Sequence, residues 1–167
     1  LKNISQALLR NATLKLIQLV WNGFTDEGVK DFASALEHNT TLKCINLCRN
    51  SIGDEGAKRI AMALRNNETV ESINLSWNKI GDDGARDIAE ALRYNTTLTS
   101  MNISWNKVSN KGKTYLKQIK YFLARNQELE KLKSKAINRL KLLLQGHWQK
   151  RNGFFHLTLN EDFCQHL

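Results

Sequence analysis

Nowhere in this chain does an apolar run approach the roughly 20 residues that a membrane-spanning helix requires, so an integral membrane helix is not expected. Cysteine is scarce. Cys44, Cys48 and Cys164 cannot build a disulfide framework in a chain of 167 residues. Cys44 and Cys48 share one strand at a separation of roughly 13 Å, beyond the reach of a bridge. Reduced thiols suggest a cytoplasmic home. Catalytic signatures are missing too: there is no Gly-x-Ser-x-Gly elbow and no His-Glu-x-x-His pair. Gly112-Lys113-Thr114 ends like a phosphate-binding loop, but the first glycine of that motif would fall at Lys107. His147, His156, Cys164 and His166 are metal ligands by type, at spacings that fit no zinc pattern. The chain is expected to be no enzyme, with neither metal nor cofactor.

What the chain does have is a repeat. Asn11-Ala12-Thr13-Leu14, Asn39-Thr40-Thr41-Leu42, Asn67-Glu68-Thr69-Val70 and Asn95-Thr96-Thr97-Leu98 recur with a period of 28 residues. Within the unit from Asn39 the apolar skeleton runs Leu42, Ile45, Leu47, then Ile52, Ala57, Ile60, Ala61 and Leu64. Ile45 and Leu47 alternate as on one face of a strand, whereas Ala57, Ile60, Ala61 and Leu64 recur at helical spacing. Each unit therefore reads as strand, turn, helix. The unit from Asn67 repeats the pattern with Ile73, Leu75, Ile80, Ile88 and Leu92, and the unit from Asn11 with Ile17, Leu19, Phe24, Phe32 and Leu36.

This skeleton resembles the leucine-rich repeats, specifically their long ribonuclease-inhibitor-like class. One unit of this size cannot bury its own apolar face, so neighbours stack over a continuous core. The expected architecture is an α/β solenoid, a horseshoe arc with parallel strands on its concave face and a helical cap at its C-terminal end. The units are 11–38, 39–66, 67–94 and a degenerate 95–122. Residues 1–10 match the end of a unit, with Ile4, Ala7 and Leu8 over Phe32, Ala35 and Leu36, so the chain is expected to begin mid-repeat, as a fragment whose upstream repeats are missing. In the last unit Lys117 and Lys120 replace the usual Ala and Leu, the mark of a terminal cap. From Lys113 to Gln145 there is neither Gly nor Pro, and Leu129, Leu132, Ala136, Leu140 and Leu143 recur at helical spacing. One long amphipathic helix is expected over this stretch, with a break near Asn126, and residues 123–146 are its basic part. Residues 147–167 form a tail in which Asn152-Gly153 signals a turn before a strand-like Phe154 to Leu159.

Charge is segregated. Residues 1–109 carry 13 Lys and Arg against 12 Asp and Glu, and residues 110–167 carry 12 against 4. Lys131, Lys133, Lys135, Arg139 and Lys141 suit nucleic acid or anionic lipid, or else the solvated outer face of a capping helix. The solvated face is preferred, because no aromatic residues interleave with these cations for base stacking.

Asn22, Asn50, Asn78 and Asn106 fall in the column that, by the resemblance, forms a buried ladder whose amides bond backbone left unpaired at the bend. The acidic pairs Asp26-Glu27, Asp54-Glu55 and Asp82-Asp83 look like catalytic carboxylates, but their recurrence at each helix start reads as capping and dipole complementation. The Asn-x-Thr triplets match the glycosylation acceptor and are better read as the helix-to-strand turn.

Stacking also aligns the outward strand positions in columns. Leu16, Cys44, Ser72 and Ser100 form one, Gln18, Asn46, Asn74 and Asn102 a second, and Val20, Cys48, Ser76 and Ser104 a third. Trp21, Arg49, Trp77 and Trp105 form the fourth. Trp and Arg are the residues most enriched at binding hot spots, so a protein partner is expected on this concave face. The bland alternative has each indole lying over its own turn. Units 39–66 and 67–94 resemble repeats of the NOD-like receptor family, which implies a ligand-sensing arc of a larger receptor. Regulation of an enzyme, as by Ran GTPase-activating proteins or ribonuclease inhibitor, is the alternative on the same scaffold.

Overall fold

A computed structural model describes the backbone of residues 2–149 and the side chains of residues 3–144. Residues 150–167, and with them the turn and strand expected at 152–159, lie outside the described residues. The chain divides into two compact units, Leu1–Glu130 and Lys131–Leu167.

The first unit alternates helix and strand: α1 (Lys2–Arg10), β1 (Leu16–Gln18), α2 (Asp26–His38), β2 (Cys44–Asn46), α3 (Asp54–Asn66), β3 (Ser72–Asn74), α4 (Asp82–Leu92) and β4 (Ser100–Asn102), followed by α5 (Lys113–Gln149). The strands form one parallel sheet in the order β1-β2-β3-β4. Leu16, Cys44, Ser72 and Ser100 are register partners across the sheet, as are Gln18, Asn46, Asn74 and Asn102. Three-residue strands suffice because each bends into its turn immediately, and the same pairing recurs one repeat later.

The helices lie side by side in sequence order and close the core from the other side. Each buries one stripe: Val29, Phe32, Ala33, Ala35 and Leu36 in α2, and Ala57, Ile60, Ala61, Ala63 and Leu64 in α3. Alanine at the helix-to-helix positions allows close approach, while Leu and Ile reach the sheet. Leu42, Leu47, Ile52, Val70, Leu75, Ile80 and Leu98 are wholly buried beneath the strands and turns. The core is continuous from Leu8 to Leu123, as expected of units that cannot fold alone. This is the leucine-rich-repeat solenoid that the 28-residue period implies.

The long C-terminal helix begins at Lys113, as its Gly- and Pro-free sequence implies, but lacks the expected break. α5 runs unbroken through Asn126, and across both the 122/123 and 146/147 boundaries. Lys117 and Lys120 are exposed, and the buried stripe moves to Ile119, Leu123 and Asn126. Asn126 does not break the helix because its amide is used sideways, donating to Asn95 O at 3.1 Å and Leu98 O at 2.9 Å. The Arg125 guanidinium donates to Leu92 O, Arg93 O and Asn95 O, and Gln127 Nε2 to Thr99 O at 2.9 Å. Between preceding repeats, Leu64 O and Asn67 O accept from Asn95, and Glu71 O accepts the backbone N–H groups of Thr99 and Ser100. Three consecutive helical side chains thus supply the donors that another repeat would bring, which is how the stack is capped.

Candidate protein-binding surface

Two asparagine columns and one aspartate column hold the strand face in place. Asn50 Nδ2 donates to Leu47 O at 2.9 Å in its own repeat and to Leu19 O at 3.0 Å in the preceding one, while its Oδ1 accepts from Asn22 N and Phe24 N. Asn78 does the same with Leu75 O, Leu47 O and Ile52 N, and Asn106 with Ile103 O, Leu75 O and Ile80 N. Asn22 stands at the start of this column, is exposed, and donates to Val20 O. A second column, Asn39, Asn67 and Asn95, is buried at the helix-to-strand turns. There each Nδ2 donates to two carbonyls, 28 and 31 residues earlier, and each Oδ1 accepts two N–H groups of its own repeat. Those amide nitrogens are the atoms a glycan would occupy, and they are already engaged.

The acidic pairs do not cap their own helices. The N-cap residues are Thr25, Gly53 and Gly81, and none makes a side-chain capping bond. Instead the first carboxylate of each pair reaches the following repeat: Asp26 accepts from Gly53 N at 2.6 Å, and Asp54 from Gly81 N at 2.6 Å and Gly84 N at 2.9 Å. Each thus places negative charge at the N-terminus of the next helix, complementing that dipole. Asp82 ends the series on Ser109, whose N–H and hydroxyl both donate to it and hold its pKa below the ordinary 3.8. The second acid of each pair meets a basic residue on the surface, as Glu55 does Arg59.

On this frame Trp21, Arg49, Trp77 and Trp105 adopt φ between 56° and 58°, the left-handed region, and among the described residues they are the non-glycine residues that do so. The backbone is pinned there from both sides. The N–H of Trp21, Arg49 and Trp77 donates at 3.0 Å to Cys48 O, Ser76 O and Ser104 O of the next repeat. The asparagine that follows then ties down the carbonyls just before it. An L-residue in this conformation costs roughly 1–2 kcal/mol, and only Gly, Asn and Asp enter it readily.

The side chains of Arg49, Trp77 and Trp105 form a ridge. Trp77 and Trp105 stack with centroids 4.8 Å apart and planes at 15°, and the Arg49 guanidinium lies 5.6 Å from the Trp77 ring centre. Trp21 remains 78% exposed and Trp105 69%, against 47% for Trp77 between its neighbours. Trp77 and Trp105 therefore lean along the column onto one another rather than each covering its own turn. Beside them, Asn46, Asn74 and Asn102 each accept from the backbone N–H two residues on, which fixes their amide orientation. Gln18 and Asn102 are exposed at the two ends of that column. Cys44 and Ser76, expected on the surface, are buried at 3% and 4%. Cys48 Sγ accepts from the Ser76 hydroxyl between the segments that follow β2 and β3. The inter-repeat roles of Arg125, Asn126, Gln127 and the three aspartates differ from anything read in the sequence; their signal is a recurring separation of 27 to 33 residues between partners.

Among the described residues, no group of His, Cys, Asp or Glu side chains is placed to hold a metal ion, and no helix is long and apolar enough to cross a membrane. The Leucine Rich repeat family matches residues 10–33, 38–61, 66–89 and 94–116. No curated protein matches the chain. The fold is similar to that of the leiomodin-1 actin-binding site 2, with 21% identity over 83% of this chain and 96% of the other, at a TM-score of 0.69. It is also similar to the tropomodulin C-terminal domain of Caenorhabditis elegans, with 16% identity, 81% and 80% coverage and a TM-score of 0.70. At these identities the likeness is one of fold.

Proposed function

Because this chain belongs to the leucine-rich repeat family, we propose that it is a non-catalytic protein-interaction module whose partner docks on the strand face along Trp21, Arg49, Trp77 and Trp105. The observation that carries this reading is the left-handed backbone beneath three exposed tryptophans. A turn with no further duty is more stable with Gly or Asn at that position. Arg49 occupies the same conformation in the second repeat, so the turn does not itself demand an indole. Residues held in a costly conformation with their side chains in water serve something outside the fold, and Trp and Arg are the side chains that anchor interfaces. Gln18, Asn46, Asn74 and Asn102 supply the polar flank of the same surface.

The partner to try first is actin, which the name of the leiomodin-1 fragment identifies as that protein's ligand. The resemblance of units 39–66 and 67–94 to NOD-like receptor repeats rests on sequence pattern alone, and makes a receptor arc the alternative parent. The thiols of Cys44 and Cys48 fit a cytoplasmic setting. The test is co-sedimentation of the intact chain with actin filaments and gel filtration with monomeric actin, repeated with Trp77→Ala. Removing one hot-spot indole lowers affinity by about 2 kcal/mol, roughly 30-fold. Absence of actin binding removes that partner. Equal affinity of wild type and Trp77→Ala for any bound protein removes the surface.

A further inference from the structure

Arg125, Asn126 and Gln127 supply the side-chain bonds that cap the last repeat, and the helix continues beyond them to Gln149. From Lys131 to Leu144 no side chain is buried. Leu132, Ile137, Leu140, Leu143 and Leu144 are between 51% and 63% exposed. At about 100° per residue these five and Ala136 fall within an arc of about 140°. Lys131, Lys135, Arg139 and Lys141 lie outside that arc with Leu142, and Lys133 lies within it. The stretch carries five cations and no acid. A merely solvated helix needs no such apolar face, so its exposure argues against a purely capping role.

We propose that residues 131–144 form an amphipathic helix that lies on an anionic phospholipid surface, independently of the partner on the strand face. The apolar arc enters the acyl boundary, and the cations meet the headgroups on either side of it. Lys133 suits this placement because a lysine stem lies along apolar material while its ammonium reaches the interface. Charge decides among the possible occupants. A second copy would bring five like charges against five, and a nucleic acid would leave the apolar arc in water. An anionic bilayer satisfies both faces at once.

The experiment is flotation of the intact chain with vesicles of phosphatidylcholine alone or with about 30% phosphatidylserine. The chain should float with the mixed vesicles at about 0.1 M salt, should not float with phosphatidylcholine alone, and should be released as salt rises. Exposed substitutions keep the helix, which circular dichroism checks. Lys135→Gln/Arg139→Gln/Lys141→Gln should lower partitioning on the order of 100-fold, from the usual contribution of a cation at such a surface. Leu140→Ser/Leu143→Ser should lower it at least about tenfold through lost apolar burial. Trp21→Ala/Trp77→Ala/Trp105→Ala should float like wild type. Failure to float with either vesicle, equal flotation with both, indifference to the helix substitutions, or loss in the tryptophan variant would each overturn the proposal. Capture by an acidic protein without vesicle binding would overturn it as well.

Discussion

Replacing Trp21 by glycine should make the protein more stable, although it deletes the largest side chain in the first repeat. Trp21 sits at φ 56° and is 78% exposed, an exposure that a denatured chain also provides, so little burial is lost. Its left-handed backbone costs roughly 1–2 kcal/mol, which glycine removes. Glycine in turn adds unfolded-chain entropy of roughly 0.5–1 kcal/mol. The net gain is about 0.5–1 kcal/mol, or a rise of roughly 2 °C in Tm for a chain of this size. Trp21→Asn should do as well, since Asn tolerates the conformation without glycine's entropy, and Trp21→Ala should gain nothing because the strain remains. Trp77 gives the opposite sign: its stack on Trp105 and its contact with Arg49 are worth roughly 1–2 kcal/mol together, so Trp77→Gly should be neutral to destabilising. Urea unfolding followed by far-UV circular dichroism, with m unchanged, measures all four. Destabilisation by Trp21→Gly of more than about 1 kcal/mol would refute the reasoning, because the indole would then be part of the fold.

The asparagine column should show a gradient. Asn78→Ala leaves Ile52 N without its partner inside the protein and removes bonds to Leu47 O and Leu75 O, a loss of about 3–4 kcal/mol, whereas exposed Asn22→Ala should lose under about 0.5 kcal/mol in the same unfolding assay. Equal losses would mean that the column is not a buried network. Asn126→Ala should destabilise by about 2–3 kcal/mol and raise amide hydrogen exchange first in the last repeat, where Asn95 O and Leu98 O lose a donor; exchange spread evenly over all repeats would contradict the capping role. Because Ser109 depresses the Asp82 pKa, their contact contributes stability that is present above the ordinary 3.8 and is lost as pH falls through the folded value. An NMR titration should find Asp82 below 3.8 and should find it moved back up in Ser109→Ala. No movement would separate the shift from that hydroxyl.

The solenoid was legible in the sequence because a 28-residue period carries its own register: once Ile45 and Ile73 are superposed, strand pairing and helix order follow. The shared column of Trp21, Arg49, Trp77 and Trp105 was legible for the same reason. Their left-handed backbone was not, since no residue in that column is Gly or Asn, the usual signal for φ above zero. The aspartates misled because a carboxylate at a helix start has a local role ready to hand. Asp26 and Asp54 instead serve the next helix, where glycines 27 residues later leave room for them. The final helix was misjudged at Asn126, a residue that disfavours helix locally and is held by carbonyls about 30 residues away. Lys117 and Lys120 correctly marked the end of the regular pattern. That three side chains of α5 replace the next repeat's donors has no counterpart in any upstream unit.

The most direct test of the strand face as a binding surface is capture of partners from nuclease-treated, detergent-cleared lysate on three baits: the intact chain, Trp21→Ala/Trp77→Ala/Trp105→Ala, and Lys135→Gln/Arg139→Gln/Lys141→Gln. A protein retained by the intact chain and by the cation variant, and lost with the tryptophan variant while its folding by circular dichroism is unchanged, is the predicted result. Partners retained equally by the tryptophan variant would contradict a binding role for the column and leave the indoles as surface ornament of the repeat.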